Sequence, residues 1–240
     1  MEKEIIVCVP GPWENRKYLI EAIITSTRGE FMWAGMILAN PKGKDHVTLE
    51  LSDPDELMLQ SFKLGGQGKI TSETLEAIAQ HKSTAYLHFA LNILSEKARL
   101  LKFTEVLFKC GGIAVKLETS GIAHEWERWF ELLGSTNPFD TYCACVVLVG
   151  DERFYYSCGM QHFGLPDVQV SNNIDAEQAA DLMNQFNYWQ IVEKPVLEAG
   201  HTFSLTPDSD RFRLSRVQDK RHSEDDPFHN SNGIWELRSD

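Results

Sequence analysis

Phe154-Tyr-Tyr-Ser-Cys-Gly-Met-Gln-His-Phe-Gly-Leu-Pro-Asp-Val-Gln-Val170 is the most distinctive stretch of the chain. It reads as two strands joined by a constrained Gly-Met-x-x-Phe-Gly-Leu-Pro-Asp corner. Gly159 and Gly164 give the backbone freedom that a sharp corner needs, and Pro166 fixes its own φ while restraining Leu165. Strands that arrive as adjacent pairs point away from a doubly wound parallel sheet and towards an α+β fold.

Working outward, Thr141 to Gly150 reads as a buried strand that turns through Asp151-Glu152 into the corner stretch. Asp175 to Trp189 reads as the helix after it, with Ala179, Leu182, Met183 and Phe186 at core spacing. Phe203 to Leu205 and Phe212 to Val217 are expected as edge strands, with Ile234 to Leu237 as a last short one. Towards the N-terminus, Ile5 to Val9 is a β-branched strand stopped by Pro10-Gly11-Pro12, and a helix follows from Trp13 to Ile24. Phe31 to Ala39 and His46 to Leu51 read as two strands of a hairpin, and Ser83 to Ala90 and Ile113 to Leu117 as two more. Helices are expected over Asp55 to Phe62, Thr71 to His81, Leu94 to Cys110 and His124 to Leu133. The predicted architecture is a mixed, largely antiparallel sheet with helices packed mainly on one face. It is expected as a single domain over residues 1–217, with βαββ-like halves at 1–90 and 111–217. Residues 218–240 are polar and are expected as a mobile tail.

Composition narrows function more by exclusion. The net charge of −12 disfavours nucleic acid and anionic membrane surfaces, and it would steer a basic partner. The start of the chain carries a charged segment and a short strand in place of the apolar core of a signal peptide, so a cytoplasmic location is expected. Five cysteines at irregular spacing predict reduced thiols rather than a disulfide framework. Cys143 and Cys145, two apart in a predicted strand, would share one buried face. No Cys-x-x-Cys or His-Glu-x-x-His spacing occurs, so neither a metal nor a cofactor is expected.

Gly65-Gly-Gln-Gly68-Lys69-Ile70-Thr71 has the glycines and lysine of a phosphate loop without its spacing. Lys63 stands six before Lys69, and Ile70 follows it. A flexible loop that offers Gln67 and Lys69 to a partner fits better. Trp126 and Trp129, three apart on one predicted helix, are core candidates that could also serve as interface anchors. Cys158, His162 and Asp167 lie close enough in sequence to suggest a nucleophile, base and orienter, with His124 as a distant contributor. Three residues so near one another seldom form a triad, and His162 reads better as a polar turn residue that could meet a partner.

The segment from about Gly111 to Trp189 resembles a bacterial family of unknown function. Gly112-Ile113-Ala114-Val115 stands where the family has a strand and Trp126 to Phe130 where it has an aromatic helix. Gly159-Met160 through Phe163-Gly164-Leu165-Pro166-Asp167-Val168 is similar to its corner. The resemblance covers about a third of the chain and implies no catalytic residues. Members of the family sometimes sit beside secreted toxins, which implies an immunity or accessory role. Two functions follow as expectations: a non-enzymatic cytoplasmic protein that binds and neutralises a toxin, or a hydrolase or transferase built on Cys158, His162, Asp167 and His124.

Overall fold

The structure is a computed structural model that describes residues 4–239. The chain forms two compact units that meet in sequence between Ser135 and Thr136, each with its own sheet. Two mostly antiparallel sheets thus take the place of the one continuous sheet expected, within the α+β class that the strand pairs predict.

The N-terminal unit runs β1 (Glu4–Gly11), α1 (Arg16–Ser26), β2 (Met32–Ala34), β3 (Ile37–Asn40), β4 (Asp45–Ser52), α2 (Met58–Gly65), α3 (Ser72–Ala79), β5 (Ser83–Ala90), α4 (Ile93–Lys109), β6 (Val115–Leu117), β7 (Ala123–His124) and α5 (Trp126–Gly134). Its sheet has the order β2-β3-β4-β5-β1-β6-β7, with every neighbouring pair antiparallel. Asn15, Thr71 and Asn92 start α1, α3 and α4 by accepting hydrogen bonds from the first free backbone N–H groups. One sheet face carries Val7, Val9, Leu49, Leu87 and Phe89, all buried. On that side Phe103 of α4 meets Phe31 and Phe89 edge to face. On the other face Cys8 and Ala123 pack beneath Met58, Phe62 and Ile78 of α2 and α3.

The segment Phe31 to Ala39, expected as one strand, is a hairpin of β2 and β3 that turns at Gly35, whose φ is +58°. Every residue from Phe31 to Ala39 apart from Gly35 is apolar, so the run reads as one strand and no change of pattern marks the break. Gly65 shows a different use of glycine. A Cβ there would lie 2.0 Å from the carbonyl oxygen of Gly121, so α2 can approach the β6–β7 turn only without a side chain. Replacing Gly65 by alanine is expected to destabilise this unit by about 1–3 kcal/mol through forced displacement, measured as a lower midpoint in urea.

The C-terminal unit runs α6 (Pro138–Cys145), β8 (Val147–Gly150), β9 (Phe154–Cys158), β10 (Asp167–Ser171), α7 (Ala176–Glu193), β11 (Thr202–Phe203), β12 (Phe212–Val217) and β13 (Ile234–Ser239). The sheet order is β11-β12-β13-β10-β9-β8, antiparallel except where β10 and β13 run parallel. Val168, Val170, Leu214, Trp235 and Leu237 form one face and pack against Ala179, Leu182, Met183 and Phe186 of α7.

The expected buried strand from Thr141 to Gly150 is half helix. Asn137 caps α6, Pro138 occupies its first turn, and only Val147–Gly150 is strand. Cys143 and Cys145 therefore do not share a strand face. Cys145 is buried and Cys143 partly exposed, and all five cysteines are free thiols. The segment expected as a tail also has an architecture of its own. Residues 218–232 form neither helix nor strand, but Ile234–Ser239 is a central strand of the sheet, hydrogen-bonded to β12 on one side and β10 on the other. The last short strand expected from Ile234 to Leu237 is therefore present, but inside the sheet rather than at the end of a tail.

Candidate functional site

The corner between β9 and β10 is built around one carboxylate. Met160–Phe163 forms a single 3₁₀ turn flanked by Gly159 at φ +123° and Gly164 at φ +70°. Both values lie in the region that favours glycine, which explains the two glycines of the motif. The turn brings Asp167 inward, where its Oδ1 accepts from the Ser157 hydroxyl at 3.0 Å and the Met160 N–H at 3.2 Å. Its Oδ2 accepts from the Asn230 amide at 2.6 Å. Burial pushes the Asp167 carboxyl up to about 6, against the downward pull of the hydrogen bonds from Asn230, Met160 and Ser157.

Asn230 ties the corner to the polar segment 218–232. The same amide also donates to the Leu165 carbonyl at 3.0 Å, and the Gln161 amide donates to the Pro227 carbonyl at 2.9 Å. The segment crosses the sheet face opposite α7. There Arg221 donates from Nε to Asp151 at 3.0 Å and from Nη2 to Gln169 at 2.8 Å. Its guanidinium lies 4.2 Å above the ring of Tyr156 and 5.6 Å from that of Phe154. Asp219 is the second organiser. Burial works upward on its carboxyl, but hydrogen bonds from His222 and from the N–H groups of Arg221 and Asn230 outweigh that and hold it below the usual carboxylate range. The region expected as a mobile tail is thus held to the sheet by named side-chain contacts.

The same geometry decides how the proposed catalytic set behaves. Burial, then the nearby carboxylates of Asp167, Asp219 and Asp226, push the Cys158 thiol well above its ordinary value, opposite to what a nucleophilic thiolate requires. His162 is fully buried. Desolvation lowers it to about 4, and its hydrogen bond runs to the backbone of Cys145. Asp167 is occupied by Ser157, Met160 and Asn230 and orients the loop rather than an imidazole. His124 belongs to the N-terminal unit, on β7. The sequence motif therefore marks a folding corner whose polar groups face one another.

The partner-binding expectations divide as well. Trp126 and Trp129 are 7% and 0% exposed, so both are interior. Their indole N–H groups donate to the Gly112 carbonyl and the Thr104 hydroxyl, and Trp126 stacks on Phe130. Neither ring is placed to anchor a partner. Gln67 and Lys69 lie exposed on the turn between α2 and α3, which Glu125 steadies by accepting from the Thr71 N–H and hydroxyl. His162 lies beneath the surface of its unit.

Sequence reasoning missed an open face on the N-terminal sheet. Residues directly opposed across a ladder share a face. One row of such residues reads Ala34, Ile37, Thr48, His88 and Ile6, and the next contains Met32, Ala39 and His46, with Ala90 and Glu4. None of these ten is buried. Helices α2 and α3 cover only the part of this face around Cys8. Met32 and Ile37 are 52% and 41% exposed, and Met36 at the hairpin tip is 53% exposed. Glu4 pairs with His88 Nδ1 at 2.8 Å, and Glu50 is exposed nearby on β4. The missed signal is that Met32-Trp33-Ala34 and Ile37-Leu38-Ala39 are apolar at every position, where a half-solvated strand would alternate.

Lys116 also escaped notice. This buried lysine pairs with Glu118 at 2.9 Å and donates to the Ser61 hydroxyl. The ammonium acts there as donor to Ser61, which anchors α2 to the sheet. Among the described residues no group of three or more His, Cys, Asp or Glu side chains is arranged to hold a metal ion.

Comparison with known families gives one match. Residues 156–232 are similar to a domain of unknown function (DUF4261). The matched segment starts on β9 and ends just before β13, so it takes in the corner, α7 and the polar segment that Asn230 and Arg221 hold in place. No curated protein and no solved structure matches the chain. No helix among the described residues is long and apolar enough to cross a membrane.

Proposed function

We propose that the protein is a non-enzymatic, cytoplasmic protein-binding protein, and that it neutralises a basic secreted toxin encoded beside it. The open face of the N-terminal sheet carries this proposal. Met32 and Ile37, on neighbouring rows of this face, expose large apolar side chains together, on a surface where an isolated exposed residue would need no explanation but a contiguous group does. Glu4 and Glu50 lie on the strands beyond it, β1 and β4, and the chain carries 35 acidic against 23 basic residues, so the complementary surface is apolar opposite β2 and β3 and basic beyond them. The choice of a toxin as partner follows what the resemblance of the corner implies. The hydrolase or transferase alternative gains no support from Cys158, His162 and Asp167, whose burial and hydrogen bonding oppose the roles it would give them.

The test is affinity purification of the tagged protein from its native cells at low and high salt. The expected result is a stoichiometric basic protein encoded nearby, bound 1:1 and released as salt rises. Recovery of the protein with no such companion would overturn the proposal.

A further inference from the structure

The C-terminal unit reverses the charge balance of the chain in one place. A groove of about 460 Å³ lies beside the polar segment and is lined by Asp151, Arg153, Phe154, Gln169, Lys220 and Arg221. Three cations face a single carboxylate there, in a protein whose net charge is −12. Asp151 is already engaged. Its Oδ1 accepts from the N–H groups of Arg153 and Phe154 at 2.7 and 2.8 Å, and its Oδ2 accepts from Arg221. Arg221 is fixed in turn by Gln169 and the Tyr156 ring. Arg153 and Lys220, both exposed, are left as two positive charges in excess at the groove.

We propose that this groove binds the phosphate monoester of a small aromatic molecule. A phosphate monoester carries about −1.5 to −2 charge at neutral pH, which matches two excess cations better than a single carboxylate does. Arg153 presents a guanidinium fork suited to two phosphate oxygens, and Lys220 adds a mobile ammonium. The half-buried Phe154 ring lies 5.7 Å from the Arg153 guanidinium and 5.6 Å from that of Arg221, which puts an aromatic contact for the ligand's ring beside the cations that would hold its phosphate. The groove's volume lies within the range of small-molecule sites. This site is separate from the partner face, and its failure would leave that proposal standing.

Titration calorimetry of the full chain in low salt, with AMP, phenyl phosphate, inorganic phosphate and adenosine as probes, tests the inference. At least one of the two aromatic phosphates is expected to saturate at 1:1, inorganic phosphate to bind at least about tenfold more weakly, and adenosine to give no saturation. The double variant Arg153→Glu, Lys220→Glu is expected to weaken binding by at least about a hundredfold while its urea midpoint stays that of the wild-type chain. Both positions are exposed and neither is a fold contact of the corner. Failure of both aromatic phosphates to saturate would overturn the proposal. So would equal binding by the double variant, or inorganic phosphate binding as tightly as its esters.

Discussion

Asp167→Asn and His162→Gln are expected to tilt the pH dependence of stability in opposite directions, although the two residues share one corner. Asp167 is raised to about 6 in the folded chain, so between its unfolded value and 6 the native state binds more protons than the unfolded one. Its contribution is complete below the unfolded value and is lost as pH rises through 6. His162 is lowered to about 4, so the unfolded state binds more protons between 4 and 6.5. Its contribution is complete above 6.5 and is lost as pH falls through 4. Between pH 7 and pH 5 each effect amounts to roughly 1–2 kcal/mol, and in the wild-type chain they oppose one another.

Removing one therefore exposes the other. On going from pH 7 to pH 5, Asp167→Asn should lose roughly 1–2 kcal/mol more than the wild-type chain, and His162→Gln should gain a similar amount relative to it. Asp167→Asn should also cost about 1–3 kcal/mol at every pH, because an amide cannot accept from Ser157, Met160 and Asn230 as the carboxylate does. The pH slope is the discriminating quantity. Urea unfolding at the two pH values, followed by a probe of the C-terminal unit, provides it. Both variants running parallel to the wild-type chain would show that the corner does not bury these groups as described.

The second large effect is expected on binding. Met32→Asp and Ile37→Asp each place a carboxylate on the exposed apolar part of the open sheet face, on β2 and β3 at one edge of the sheet. Because both side chains are already exposed, stability should change by no more than about 0.5 kcal/mol. The apolar contact with a partner would be lost and a charge would be buried without an answering group. Affinity should fall at least about thirtyfold for either variant. Trp126→Ala should behave in the reverse manner. It removes the stack on Phe130 and the hydrogen bond to Gly112, so stability falls by about 3–5 kcal/mol through loss of core packing.

The sequence made much of this architecture legible where patterns are long. Helix α4, expected from Leu94 to Cys110, runs from Ile93 to Lys109, because its apolar spacing is sustained over several turns and Gly111-Gly112 ends it. The strand pairing β9–corner–β10 follows from Gly159, Gly164 and Pro166. The failures share one cause, which is that short segments carry too little periodicity to compete with tertiary context. Thr141 to Cys145 is apolar enough for a strand, but Asn137-Pro138 starts a helix there. β13 is expected as a last short strand at Ile234 to Leu237, but after the largely polar residues 218–232 nothing local tells that it lies between β12 and β10. Site residues were legible only as local clusters. Cys158, His162 and Asp167 were singled out by proximity, yet the partner that explains Asp167 is Asn230, 63 residues away. The open face was invisible for a similar reason, since it joins side chains from five strands that only the register aligns.

The most direct test of the partner face is site-specific photocrosslinking in native cells. A benzoylphenylalanine is placed at Ile37 on the open face or, as control, at Tyr18, which is exposed on α1. The account predicts that Ile37 crosslinks in good yield to one basic protein encoded nearby, that Met32→Asp abolishes this crosslink, and that Tyr18 gives no such product. A partner captured equally from both positions, or a crosslink that survives Met32→Asp, would contradict it.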